Sequence, residues 1–439
     1  MADACNSRSL SWLVKPCRPD PRREIVAHQH PSLDITHPQH LRPSASPVAP
    51  IASLPDDILL ECLSRVPPSS LPALSLVCRR FSLLLDSPAF LRLRRSHGRL
   101  RRTLHALALS DLGVLSSASL PVDSSLAAAV ADAWAPPASS SSAFAVAPLD
   151  ALDGSFSFSH ARIAAVGRSI YIIGRGATLR YDTWTGAVAA RAPTIFPRKK
   201  FAAAAIGGKI YVAGGAARTS AVEEYDPVTD AWRVVADAPR QRYGCIGAAA
   251  GGVFYIAGGL RVGGGGGEGG RLDAHVCAGS MDAYHVEAGA WVRGRPGAGA
   301  AVLPGGGCVV GACGAGPHVY VVASHAVELS FWRWEGRARR SGGGGGEWTR
   351  LEPPPIPARA GLGGAVRFSC VGVGEKKVVA LVHVSFGCGN GGGGGGRRSS
   401  EVAALEGAVL VYDIRGGEWT RGPDLPPGFR RFAVACVEF

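Results

Sequence analysis

Charge is scarce in this chain, and acid is scarcer than base. Of 439 residues only 18% are charged, with 34 Asp and Glu against 47 Lys and Arg, a formal net charge of +13. That excess suits acidic partners and has no bearing on the fold. No apolar run approaches the ~20 residues a membrane-spanning helix needs, so no membrane partner is expected. The first 50 residues lack the basic n-region and apolar h-region of a secretory signal, and the expected setting is the cytoplasm or nucleus. The eleven cysteines include no Cys-x-x-Cys pair. Cys308 and Cys313 are the nearest couple, and no histidines sit beside them at zinc-finger spacing. Thiols serving as small core hydrophobes in a reducing compartment fit better than disulfides or a structural zinc.

Catalytic signatures are missing as well: no G-x-S-x-G elbow, H-E-x-x-H, P-loop or Rossmann fingerprint occurs. The glycine runs Gly263–Gly267, Gly342–Gly346 and Gly391–Gly396 lack the lysine and strand-to-helix context of a phosphate cradle and read as flexible loops. The twelve histidines do not concentrate. His318, His325 and His383 fall in or beside strand-like segments, where isolated histidines are usually fillers. No catalytic residue, metal or cofactor is expected.

Residues 1–50 carry prolines, histidines and mixed charge without periodicity and read as a disordered tail. Residues 51–95 differ. Pro55 stands at a favourable first helical position, with Asp56 and Asp57 in the first turn. Ile58, Leu59, Cys62, Leu63 and Val66 share one helical face, and Pro67-Pro68 ends it. Ser69 or Ser70 caps a second helix on which Leu71, Leu74, Val77, Cys78 and Phe81 recur. A unit this short has too little interior to hide so many large side chains. In Leu54-Pro55-Asp56-Asp57-Ile58-Leu59, Leu63-Ser64-Arg65-Val66-Pro67, Leu74-Ser75-Leu76-Val77-Cys78-Arg79 and Ser87-Pro88-Ala89-Phe90 the segment resembles the F-box family, with Phe81 where that family usually has Trp. The resemblance implies a small three-helix domain that binds a Skp-type adaptor through Leu54, Pro55, Ile58, Leu59, Leu63, Val66, Leu74, Val77, Cys78 and Phe81. The plainer alternative is a helical hairpin packed only on the rest of its own chain. The run Arg92–Arg102 holds six arginines without interleaved aromatics for base stacking, so no nucleic-acid partner is expected, and residues 96–102 read as a solvated basic linker.

From residue 158 the sequence repeats. One unit runs from Pro197 to Pro239 and the next from Pro239 to Pro296. Each alternates small or apolar residues at period two, which gives about four short strands per unit. Gly214-Gly215 and Gly258-Gly259 end the second strand. Tyr225 precedes Trp232 by seven residues, as Tyr284 does Trp291 and Tyr412 does Trp419. These tryptophans are expected to pack between neighbouring sheets. One such sheet cannot cover its own faces, so several must ring an axis. A Gly-Gly after an apolar strand, then Tyr-Asp, then Trp, resembles kelch repeats over residues 158–427. The resemblance implies a mainly β chain with a six-bladed kelch β-propeller over residues 103–439. Its repeats lie at about 158–196, 197–239, 240–296, 299–357 and 358–427. A closing strand, 429–439, is expected to complete a sixth blade built from residues 103–149, where Asp132-Ala133-Trp134 echoes Asp230-Ala231-Trp232.

Kelch propellers grip partners with loops at one mouth. By that resemblance Lys200, Arg242 and Arg359 would open first strands, and Arg218 and Arg261 would follow a Gly-Gly. Arg175, and Arg430 or Arg431, fall similarly in weaker units. Converging cations would attract an acidic or phosphorylated segment of a protein substrate; the plainer alternative is that they solvate loops. The kelch fold also carries copper-radical oxidases, which the F-box argues against. Together the two resemblances point to the plant type of F-box/kelch protein. Such a chain recruits substrates to an SCF-type ubiquitin ligase, its Skp-type adaptor linking it to cullin and RING subunit. The rival is a kelch scaffold without ligase association.

Overall fold

The computed structural model describes residues 51–109, 114–122, 134–135, 144–145, 157–215, 219–261, 275–292, 301–325, 328–336, 346–356, 366–384, 405–427, 429 and 432–439. The tail 1–50 lies outside them. Residues Ile51–Ser53 form a 3₁₀ turn, with the Leu54 amide donating to Ile51 O at 3.3 Å.

Four α-helices follow, not three: α1 (Asp56–Ser64), α2 (Leu71–Val77), α3 (Arg79–Leu85) and α4 (Pro88–Ser96). Pro55 (φ −58°, ψ 153°) precedes α1 and does not open it. The break between α2 and α3 is at Cys78, whose extended backbone (φ −160°, ψ 162°) ends one helix. Its Sγ then accepts the Phe81 amide at 3.5 Å and caps the next helix. Helical spacing carries straight through that residue, so periodicity alone merges the two. Ser87 caps α4 by accepting the Phe90 amide at 3.2 Å, ahead of Pro88, where a missing N–H costs nothing. Leu59, Leu63, Leu71, Phe81, Leu84, Leu85 and Phe90 fill the interior of this bundle.

The remainder is a six-bladed propeller of antiparallel sheets. Blade I runs through Ser157–Val166, Ser169–Arg175, Thr178–Asp182 and Val188–Arg191. Blade II has Ala202–Ile206, Lys209–Ala213, Ala221–Asp226 and Ala231–Asp237; blade III starts at Ile246–Ala250, blade IV at Cys308–Ala315 and blade V at Val366–Val373. Blade VI is shared by the two ends of the chain: Phe432–Glu438 lies innermost, followed by Arg102–Leu109, Val114–Pro121 and Phe144–Ala145. Innermost strands touch in cyclic order, blade VI against blade I, so the ring is closed.

Small residues let those innermost strands approach. A Cβ on Gly314 would sit 1.7 Å from Ala249 O of the neighbouring blade, which no side chain tolerates. At the doublet, Gly214 and Gly215 both take positive φ (72° and 78°), where L-residues are strained. The seven-residue Tyr–Trp spacing is a hairpin register: Tyr225 pairs with Trp232, Tyr284 with Trp291 and Tyr412 with Trp419 across adjacent strands. Each indole then staples its blade to the preceding one. Trp232 Nε1 donates to Ala192 O at 2.8 Å, Trp291 to Asp237 O at 2.7 Å and Trp419 to Glu352 O at 2.7 Å. Trp134 does the same from the shared blade, donating to Pro423 O at 2.9 Å. Trp134 therefore repeats the interblade indole bond of Trp232.

Candidate functional site

Helical pitch decides which apolar residues of the first domain remain free. Leu59 and Leu63, one turn apart on α1, are 1% and 5% exposed, and Phe81 is 8% exposed; these three belong to the domain's own core and do not face a partner. Leu54, Val66 and Leu74 are half-buried, and Pro55 and Cys78 are exposed. Ile58 is 47% exposed and Val77 64%. Two further side chains outside the expected set, Leu76 (72%) and Leu83 (61%), also point outward. The signal for them was present in Ile58-Leu59, Leu76-Val77 and Leu83-Leu84-Leu85. Adjacent helical residues are about 100° apart, so a core takes one of such a pair and turns its neighbour to solvent.

Residues 96–99 and 101 of the basic linker are exposed, but several arginines of the run Arg92–Arg102 have fixed partners. Arg94 is fully buried, donating to Ser64 O (3.1 Å), Val66 O (2.9 Å) and Arg99 O (2.8 Å). It satisfies carbonyls that the end of α1 leaves unpaired. Arg99 donates to Arg65 O at 2.9 Å, and Arg95 and Arg102 both reach Glu438 on the closing strand (3.1 and 2.6 Å).

A second clamp is Arg168, in the turn after the innermost strand of blade I. Its Nε lies 2.8 Å from Asp86 and 3.6 Å from Asp182, its Nη2 donates to Ser82 at 3.1 Å, and its guanidinium covers Trp184 at 4.7 Å. Burial raises the Asp86 carboxyl above its ordinary range despite the neighbouring Arg168. Both clamps lie where innermost strands finish, so the helical domain is mounted at that end of the ring. The opposite mouth, where innermost strands begin, is left free of it.

At that mouth the expected cations diverge. Arg218, Arg359, Arg430 and Arg431 lie outside the described residues. Arg261 pairs by its backbone with Arg242 in a two-stranded ribbon. Lys200 sits at φ 52° with Nζ 5.5 Å from the Tyr243 ring centroid. Arg242 is 2% exposed, so it does not line the mouth. Its Nε donates to Asp282 at 2.8 Å and its Nη1 to Gly258 O at 2.7 Å. Counted back from the innermost strand, Arg242 matches Arg198, not Lys200. Arg198 is buried likewise, donating to Glu223 (2.8 Å) and to Gly214 O (2.7 Å). The counterpart of Lys200 is Gly244, also at positive φ (79°). Both arginines are struts that pin the Gly-Gly turns.

Two cations that the sequence reading passed over do reach the mouth. Arg162 projects from blade I to the carbonyls of Phe201 (2.8 Å) and Cys245 (3.3 Å), which immediately precede the innermost strands of blades II and III. Arg367, second residue of the innermost strand of blade V, is exposed. A hollow between blades II and III, lined by Tyr211, Glu224, Arg233 and Tyr284, offers less, because Glu224 already holds Lys209, Tyr211 and Arg233 at 2.6–2.8 Å. Among the described residues no three His, Cys, Asp or Glu side chains converge to hold a metal.

Comparison with known proteins agrees with both halves of this geometry. Residues 51–93 match the F-box domain and residues 197–239 the kelch motif. The F-box/kelch-repeat protein At5g26960 of Arabidopsis thaliana is 48% identical over 448 aligned residues, covering 100% of each chain. Another from the same plant, At1g67480, is 27% identical over 48% of this chain and 54% of its own. A helical domain with an outward apolar face, a closed six-bladed ring and full-length identity of this degree lead to one conclusion: the chain belongs to the F-box/kelch-repeat family.

Proposed function

We propose that the chain is the substrate-recruiting subunit of an SCF-type ubiquitin ligase. Its F-box binds a Skp-type adaptor, and through it the cullin and RING subunit. Its propeller mouth binds a protein destined for ubiquitination, with an acidic or phosphorylated segment as the class of target that the basic mouth favours. The chain forms and breaks no bond itself. It raises the concentration of substrate lysines near a charged conjugating enzyme. Such a subunit would work in the cytoplasm or nucleus.

One observation carries the reading: the F-box core is already filled by Leu59, Leu63, Phe81 and Phe90, yet Ile58, Leu76 and Val77 remain outside it. Covering three such part-exposed side chains is worth about 3–5 kcal/mol, enough to decide an association. The test is capture of a purified Skp-type adaptor by the full chain and by an Ile58→Ser/Leu76→Ser/Val77→Ser variant. Loss of capture at unchanged melting temperature is expected. A Val228→Ser control, on the propeller and 93% exposed, should capture normally. Failure of the parent chain to bind any Skp-type adaptor would favour a kelch scaffold without ligase association.

A further inference from the structure

Arg162 presents a guanidinium whose recorded partners are both neutral. It is fixed at the axial mouth by the carbonyls of Phe201 and Cys245, and among the described residues no carboxylate pairs with it. Burial chiefly lowers its pKa, and the positive charge of Arg367 adds to that lowering. Arg367 is exposed, and its side chain makes no hydrogen bond or ion pair among the described residues. Lys200 adds a third positive charge beside Phe201.

Among the described residues, three acids near this end are already committed. Glu223 holds Arg198, Asp282 holds Arg240 and Arg242, and Glu406 accepts the Val384 amide. His383, paired with Arg367 across adjacent strands, stacks on Phe432 at 4.0 Å and bonds Ser369 at 2.7 Å. Burial, with Arg162 and Arg367 adding to it, pushes its pKa down to about 4, so at neutral pH it is an uncharged wall.

Tying two strand ends together accounts for the hydrogen bonds of Arg162 but not for its charge, since a neutral amide would donate as well. It accounts for nothing about Arg367. Uncompensated guanidiniums at a low-dielectric opening are placed to draw and orient an oxyanion.

We propose that Arg162, Arg367 and Lys200 form an oxyanion-binding site at the axial mouth, taking a carboxylate or phosphate carried on an extended segment of the bound protein. This rests on the propeller being the substrate-binding module and names what that module recognises.

The test is fluorescence anisotropy of the full chain with three labelled octapeptides: alternating Gly-Glu, the same with phosphoserine for Glu, and the same with Gln. At low salt an anionic probe should bind, weaken as salt rises, and bind at least about tenfold more tightly than the Gln probe. Whichever anionic probe binds better identifies the oxyanion. Arg367→Gln, exposed and without partners, should keep the parental melting temperature and lose about tenfold in affinity. Arg162→Lys, which keeps charge but loses the fork, should also weaken binding.

Equal binding of the Gln probe, absence of binding by both anionic probes, or unchanged affinity in Arg367→Gln would each overturn the site. Adaptor capture measured on the same variants should not change. A parent chain that binds the anionic probe but no adaptor would defeat the ligase reading alone.

Discussion

Arg242 offers a sharp test of how the propeller is held together. Its side chain is 1% exposed and that of its partner Asp282 3%. One guanidinium donates to Asp282, to the carbonyls of Gly258 (2.7 Å) and Cys277 (3.0 Å), and to Ser280 Oγ (2.9 Å). Truncation to alanine leaves Asp282 buried with only Arg240 beside it. Removing one member of a buried pair costs about 3–5 kcal/mol, because the survivor is uncompensated. Arg240, still in place, argues for the lower end. At roughly 2 °C per kcal/mol for a domain this large, Arg242→Ala should melt at least about 6 °C below the parent. A thermal melt followed by circular dichroism reads this. Arg242→Met combined with Asp282→Leu should melt above the single variant, although it removes more polar groups, because the charge it leaves unpaired, Arg240, is 24% exposed and reaches water. Lys200→Ala, with no such network, should stay within about 1 °C. If Arg242→Ala melts within about 1 °C of the parent, the strut assignment is wrong and the residue is free for a partner after all.

Other expectations follow from the same contacts. Deleting residues 432–439 removes the innermost strand of blade VI, whose ladder runs from Arg102 to Ala108, and should abolish the cooperative thermal transition; an unaltered melt would refute ring closure. Trp134→Phe loses the bond to Pro423 O and should cost about 1 kcal/mol, or roughly 2 °C; no shift in the melt would refute the staple. His105 and His383 are both depressed to about 4 by burial first, with Arg162 and Arg367 contributing at His383. The unfolded chain protonates near pH 6.5 and the folded one only near 4, so the stability linked to these neutral rings is full above pH 6.5 and is lost as pH falls toward 4. Between pH 7 and 5 the loss is about 1–2 kcal/mol per histidine. Urea midpoints should fall accordingly, and a His105→Gln/His383→Gln variant that keeps the whole drop would refute the assignment.

Residue order revealed the ring because its repeats are governed by short-range chemistry. The Gly-Gly turn, the Tyr–Trp hairpin pair and the small innermost residues all recur at fixed offsets, and each has a local cause. Blade IV is fainter in the sequence for an equally local reason. Its innermost strand shifts register between Val309 and Gly311, and Trp348 stacks on Trp334 at 4.9 Å and makes no interblade bond. Position along the chain was weaker at telling inward from outward. Ile58 and Leu59 read alike as apolar helix, and only the packing of α1 against α3 and α4 decides that Leu59 turns in. Arg242 and Lys200 each stand three residues after a proline, Pro239 and Pro197. Counting from the strand instead pairs Arg242 with Arg198, whose buried carboxylate partner lies 25 residues away and leaves no mark in local sequence. Arg162 had a usable sign: a lone cation interrupting the small residues of Ser159–Val166.

The closing strand joins two functions that the sequence keeps apart. Glu438, at its end, holds Arg95 of α4 and Arg102 at the start of the next strand. Phe439 exchanges backbone bonds with Arg101 (2.7 and 3.0 Å) and packs edge-on against Trp184 at 5.9 Å, the ring that Arg168 covers while gripping α3. Closing the ring and mounting the F-box are thus the work of the same few residues. At about 3.3 Å per residue, the seven-residue strand Phe432–Glu438 separates the F-box mount from the mouth of Arg162 and Arg367 by roughly 20–25 Å. In a recruiting subunit the transfer step depends on how constantly substrate lysines are held relative to the adaptor, because effective concentration collapses when the connecting segment is slack. Arg168 and Glu438 remove that slack by replacing a flexible linker with ion pairs on both sides of the F-box. Under the proposed ligase role, loosening them should therefore lower ubiquitin transfer while leaving adaptor binding and substrate binding each intact.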